Sequence, residues 1–185
     1  MLRALAAPDG EAILPLADLK ARVRILSNDE DETVTRMRGQ AIDWVERYTG
    51  IALDKRQFEY ADRQFCRRIG LPIGPIVSVD AIEYDDAAGE LHNLTAADWR
   101  FGAGTVLSAA GKRWPASDGE PGSVRIKFTA GLQNAATEAP SLIAAVELLV
   151  AHWFANREAV SAGNAATEVP FGVSSLCDQY RMPGL

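Results

Sequence analysis

Few side chains in this 185-residue sequence are of the types that carry out chemistry: it has two histidines, two cysteines and four tryptophans. His152 stands in the apolar run 140–157, where a hydrogen-bonded core imidazole is expected rather than a general base. No carboxylate, cysteine or second histidine shares a helix face with it at metal-ligand spacing. Glu147, five residues away, falls off that face. His92 lies beside Asn93 in a segment that reads as a hairpin strand. Cys66 and Cys177 are far apart with no C-x-x-C spacing, so neither a disulfide framework nor a zinc site is expected and both read as free thiols. The run Ser27-Asn28-Asp29-Glu30-Asp31-Glu32 lacks the glycine and distal glutamate of a calcium loop, and reads as a helix start favoured by the macrodipole.

Phosphate and acyl-transfer motifs are missing. The sequence has no P-loop, no G-x-G-x-x-G after a strand and no G-x-S-x-G. Gly102 and Gly104 stand between two strand-like segments, which makes a turn rather than a phosphate cradle. Trp99, Trp114 and Trp153 can build a ligand surface, but packing is the commoner fate of such residues. Arg67-Arg68 is a lone basic pair, too small for a nucleic-acid claim. With a formal net charge of −6, the chain is poorly suited to gripping DNA through its phosphates. No enzyme, cofactor or metal is expected. Hydrophobic residues at 48% and charged residues at 24% are ordinary for a globular domain. The first ten residues lack the apolar run of a signal peptide, and 140–157 is shorter than the ~20 apolar residues that span a bilayer.

The elements that must position these residues read as α+β. Residues 1–13 read as an irregular arm. Leu16, Leu19 and Val23 share one stripe of a short helix over 14–25. A longer helix follows to Thr49, with Val34, Met37, Ala41, Trp44 or Val45, and Tyr48 recurring every three to four residues. Arg36, Arg38, Asp43, Glu46 and Arg47 fall mainly between them, and Gly50 is the expected left-handed stop. From 54 to 131 the pattern is of short strands. Val77, Val79, Ile82 and Tyr84 carry one of them, with a slip in parity between Val79 and Ile82 that predicts a bulge. Asp85-Asp86-Ala87-Ala88-Gly89 is turn chemistry leading to a hairpin partner, 90–94. Val124, Ile126 and Phe128 alternate most cleanly.

The run 140–157 is apolar nearly all round, so neighbours must cover it on most sides. Leu142, Val146, Leu149 and Trp153 are assigned to core or subunit packing. Residues 159–168 read as a mobile loop, and 173–180 as a short terminal helix.

This order of elements resembles a known family. The parts that carry the likeness are Val45-Glu46-Arg47-Tyr48-Thr49-Gly50, Leu71-Pro72-Ile73-Gly74-Pro75-Ile76-Val77-Ser78-Val79, Trp99-Arg100 with Arg113-Trp114-Pro115, Val124-Arg125-Ile126-Lys127-Phe128-Thr129-Ala130-Gly131, His152-Trp153-Phe154-Ala155-Asn156-Arg157-Glu158-Ala159 and Val169-Pro170-Phe171-Gly172-Val173. The chain resembles the head–tail connector (adaptor, or head-completion) proteins of tailed bacteriophages, prophages and gene transfer agents.

The resemblance implies one connector domain over 1–185. It would be a helical bundle with helices over 14–50, a small antiparallel β module (54–131) inserted between the second and third long helices, a central helix over 140–157, and a mobile loop and docking segment over 159–185. It implies a non-enzymatic subunit of a ring, usually of twelve, under the portal protein. The ring would extend the DNA channel and dock the next neck or tail-completion protein, without sequence-specific DNA binding and without a membrane. The implied setting is the host bacterial cytoplasm during assembly and then the particle neck. Phe171, Val173, Leu176 and Tyr180 are the expected portal-docking residues, with folding back onto their own domain as the alternative. Arg36, Asp43 and Arg47 mark the helix side assigned to the channel. Two other readings stay open: a ligand-binding or enzymatic α+β domain using Trp99, Trp114 and His92, and a DNA-packaging protein such as a small terminase subunit. The acidic charge and the lack of a basic helix-turn-helix count against the second.

Overall fold

The computed structural model describes residues 1–102, 104–156 and 170–181; the loop expected over 159–168 and the side chain of Phe171 lie outside the described residues. The chain is α+β and divides into two compact units, Met1–Ala7 with Lys55–Gly131, and Pro8–Asp54 with Leu132–Leu185.

The first unit is built on strands β1 (Leu2–Ala4), β2 (Arg56–Asp62), β3 (Ile69–Gly70), β4 (Ile76–Asp85), β5 (Leu91–Leu94), β6 (Trp99–Gly102), β7 (Thr105–Ser108) and β8 (Val124–Ala130). They form two antiparallel sheets, ordered β1-β2-β8-β4-β5 and β3-β7-β6. At the centre of the larger sheet, β8 buries Val124, Ile126, Phe128 and Ala130 and leaves Arg125, Lys127 and Thr129 half-buried on its other face. This is the period-two pattern of a strand covered on one side. Phe128 faces Phe58 directly and the rings stack at 5.7 Å. On the polar face Arg125 holds Asp85 through two bonds of 2.7 Å, and Lys127 holds Glu83 at 2.6 Å. Two register shifts interrupt the β4–β8 pairing, one between Val79 and Ala81, where the parity of the sequence slips.

The expectation of an irregular arm over 1–13 is corrected. Leu2–Ala4 is an edge strand paired with Phe58–Tyr60. Three residues carry no period, and β1 exists because β2 offers a free edge. Gly10–Ile13 is a helical turn whose first amides, those of Glu11 and Ala12, donate to Asp9 at 3.0 and 3.1 Å.

The second unit contains that turn, α1 (Gly10–Ile13), with α2 (Leu16–Val23), α3 (Asp31–Thr49), α4 (Ala135–Glu138), α5 (Pro140–Ala155) and α6 (Phe171–Asp178). Pro140 opens α5, and Asn156 closes it by donating its amide to the His152 carbonyl. Leu142, Val146 and Leu149 are fully buried with Leu19, Val34, Ile42 and Val45. α2 stops at Val23 because Arg24 turns left-handed (φ 59°), and α3 stops at Gly50 (φ 74°). Among the described residues no helix is long and apolar enough to cross a membrane.

Two charged residues read as lying between the apolar positions of α3 are in fact buried. Arg38 is 5% exposed; it donates to the Leu14 carbonyl at 2.8 Å and to Glu11 at 2.7 Å. Glu46 is also buried and accepts the Leu53 amide at 2.8 Å. Each satisfies backbone groups at a chain reversal, where an apolar side chain would leave them unpaired.

Candidate assembly surfaces

The residues singled out from the sequence fall at separate places within the two units. In the β unit, the β4–β5 hairpin gathers Asp86, Glu90 and His92, whose ligand atoms lie within 4.8 Å of one another. Asp86 organises the turn. Its Oδ1 accepts the amides of Ala88 (2.8 Å) and Glu90 (3.1 Å), and its Oδ2 meets His92 Nε2 at 2.7 Å. The His92 bond, followed by the two amides, holds the Asp86 carboxyl below the usual carboxylate range. Among the described residues this is the set that can hold a divalent cation, but both Asp86 oxygens already serve the turn, so the arrangement acts first as a hairpin lock.

Beside the lock runs a ladder of rings. His92 stacks on Tyr84 at 5.2 Å, Phe65 meets Tyr84 edge-on at 5.7 Å, and Trp114 stacks on Phe65 at 4.7 Å. The structure therefore joins two of the three residues named for a ligand surface, Trp114 and His92. Trp99 is no member of the ladder and belongs to β6 of the smaller sheet. Both tryptophans are half-buried, and their Nε1 atoms are turned away from solvent.

The smaller sheet adds a feature not legible in the sequence. Arg100 on β6 stands opposite Leu107 on β7, while Ile69, just after Arg67-Arg68, stands opposite Val106 on the other side of β7. Arg67, Arg68 and Arg100 thereby line one cleft of about 520 Å³ with Leu107 and Ser108. Only the pairing of β3 and β6 with β7 brings Arg100 to the basic pair thirty-odd positions earlier.

In the helical unit α5 turns its apolar residues two ways. One side enters the core; the other carries Ala144, Leu148 and Ala151, with Leu148 46% exposed. Beside this line Glu147 pairs with Arg22 of α2 at 3.2 Å. On α3, Arg36, Asp43 and Arg47 are all exposed along one line, and Arg47 pairs with Asp43 at 3.0 Å. Trp44 and Tyr48 border that line, stacked at 4.9 Å, and with Gln40, Asp43, Arg47 and Trp153 they line a groove of about 430 Å³.

Of the expected docking residues, Val173 is fully buried in its own unit, and Leu176 and Tyr180 pack partly against the same core. The Tyr48 hydroxyl donates to Asp178 at 2.7 Å, and the Arg181 guanidinium lies 5.6 Å over the Tyr48 ring, so α6 is fastened to α3. The bond to Asp178 raises the Tyr48 hydroxyl above the usual phenol range.

The described residues thus form a two-sheet β unit and a helical unit, each with exposed surfaces. No family model matches the sequence, and comparison with curated proteins finds no match. Solved structures do match. A chain in the neck of an empty gene transfer agent (GTA) particle, computed with C6 symmetry, is 30% identical with a TM-score of 0.77. A chain in the virion of a native GTA particle is 31% identical with a TM-score of 0.78. A chain in the neck of the native GTA particle, computed with C12 symmetry, is 30% identical with a TM-score of 0.74. Each alignment covers 98% of this chain and 95% of the other. The chain belongs to the head–tail connector family of tailed bacteriophages, prophages and gene transfer agents.

Proposed function

We propose that this protein is a structural, non-enzymatic subunit of a neck ring that sits under the portal, extends the DNA channel and docks the next neck or tail component. The likeness to GTA neck chains, end to end at 30% identity, is the observation that carries the reading. Those necks were computed with C6 and C12 symmetry, and a ring of like copies needs one repeated contact between two unlike patches. The outer side of α5, with Leu148 at its centre, supports such a contact, since it is an apolar line on a helix whose other side is already used.

The exposed line of Arg36, Asp43 and Arg47 is assigned to the channel, in a chain whose net negative charge keeps DNA from adhering. Portal docking is assigned to the C-terminal segment. There α6 is the fixed base, Val173 its anchor, and the exposed parts of Leu176 and Tyr180 the contact. The test is the mass in solution, by light scattering or native mass spectrometry, of the protein alone and mixed with its portal. A ring in either sample is expected. A strict monomer that ignores the portal would overturn the reading.

A further inference from the structure

We infer that the cleft lined by Arg67, Arg68 and Arg100 is a docking site for a carboxylate-rich segment of a partner protein. The inference rests on the assembly reading above for the presence of such partners. It starts from charge. The chain carries 25 acidic and 19 basic side chains, yet the lining of this cleft contains three arginines and no acid. Ion pairs of the β unit lie elsewhere, among them Arg3–Glu59, His92–Asp86, Lys112–Asp98, Arg125–Asp85 and Lys127–Glu83. Among the described residues no carboxylate pairs with Arg67, Arg68 or Arg100. All three are exposed.

Their placement is fixed by the sheet rather than by chain neighbourhood. β7 is the middle strand, Arg68 directly precedes the strand on one side of it, and Arg100 is carried by the strand on the other. Side chains from two edges thus converge over Leu107 and Ser108, which form an apolar and hydroxylic floor. A cation-lined recess with low-dielectric walls focuses positive potential. Guanidinium forks match carboxylates bidentately, which favours arginine over lysine at such a place.

Shape and net charge choose between anions. A recess of about 520 Å³ admits a protruding loop or chain end. A DNA duplex instead presents a broad convex surface, and its extended field is opposed by the rest of an acidic chain. The occupant that fits both facts is an acidic protein segment bearing two or three carboxylates.

The test uses the full chain and a fluorescent Asp/Glu-rich peptide, followed by anisotropy at low ionic strength and through rising salt. The native chain is expected to bind, with affinity falling as salt rises. The variant combining R67Q, R68Q and R100Q is expected to bind at least about tenfold more weakly. The matching triple lysine variant should fall between the two, because it keeps the charge and loses the fork. Circular dichroism of both variants checks that the fold is retained.

Three results would overturn the inference. They are no peptide binding at low salt, tighter retention of duplex DNA than of the peptide through the same arginines, or self-association of the native chain that the triple glutamine variant abolishes. Weighing the same variant with the portal separates the two readings. Rings without peptide binding would sink this inference and leave the assembly reading standing. Peptide binding without rings would support the cleft and count against the assembly reading.

Discussion

Arg38 is a charged side chain working inside the helical unit. It connects the end of α1 to α3 through the Leu14 carbonyl and Glu11, and Gly10 is small where it passes, since a Cβ there would lie 2.9 Å from Arg38 Nε. Replacing Arg38 with alanine leaves a buried carbonyl unpaired and opens a void. The expected loss is about 2 kcal/mol, read from urea unfolding with the slope unchanged. The two cysteines offer a second residue-scale check. Cys66 is exposed, whereas Cys177 is buried, and burial pushes its thiol up to about 11. One thiol per chain should react with a disulfide reagent in the native protein, and two after denaturation. Rapid reaction of both in the native state would show that α6 does not stay on its core. Neither Arg38 nor Glu46 could be placed correctly from periodicity, because their burial goes with backbone groups outside the helix, at Leu14 and Leu53.

At the scale of elements, the β unit leans on carboxylates. Arg125 holds Asp85 below the ordinary carboxylate range, His92 does the same for Asp86, and Lys112 with Thr95 takes Asp98 from 3.8 to about 2. A depressed folded value means that the unfolded chain binds protons more readily, so acid favours unfolding. The stability these groups supply is fully present above the ordinary value and is lost as pH falls through their folded values, a loss that for Asp98 runs from 3.8 down to about 2. Unfolding curves collected from pH 5 downward should therefore show the midpoint dropping steeply below about pH 4. In the D98N variant that drop should be smaller. An equal drop in both would remove Asp98 from the account. The alternating residues of β8, the slip in β4 and the glycine stop of α3 were legible because each is a local pattern. β1 was not, since an edge strand of three residues exists only through its partner, and the arginine cleft was not, since it depends on which strands become neighbours.

For the molecule as a whole, the decisive property is a helix with apolar residues on more than one side. The buried side of α5 is settled by Leu142, Val146 and Leu149. In the proposed ring, the exposed side, centred on Leu148, is the one assigned to meet another copy. The substitution L148D should leave the monomer's unfolding curve within about 0.5 kcal/mol of the native one, as exposed changes do. It should also prevent ring formation on the portal, as seen by native mass spectrometry. A normal ring from that variant would move the subunit contact to another face. Resemblance in the order of elements reached the family, while the assignment of surfaces needed coordinates, because exposure is decided by what each helix packs against.

Each unit is assembled from two stretches of chain: the β unit from Met1–Ala7 and Lys55–Gly131, the helical unit from the stretches on either side of Lys55–Gly131. On the ribosome this imposes an order. A nascent chain complete to Gly131 holds every strand of the described residues, so the sheets can close while synthesis continues. At that moment α3 has been made, but α5, which is to cover Val34, Ile42 and Val45, has not. The helical half must wait with its apolar face unsheltered, making this interval the one in which a holding chaperone would matter most to the yield of subunits.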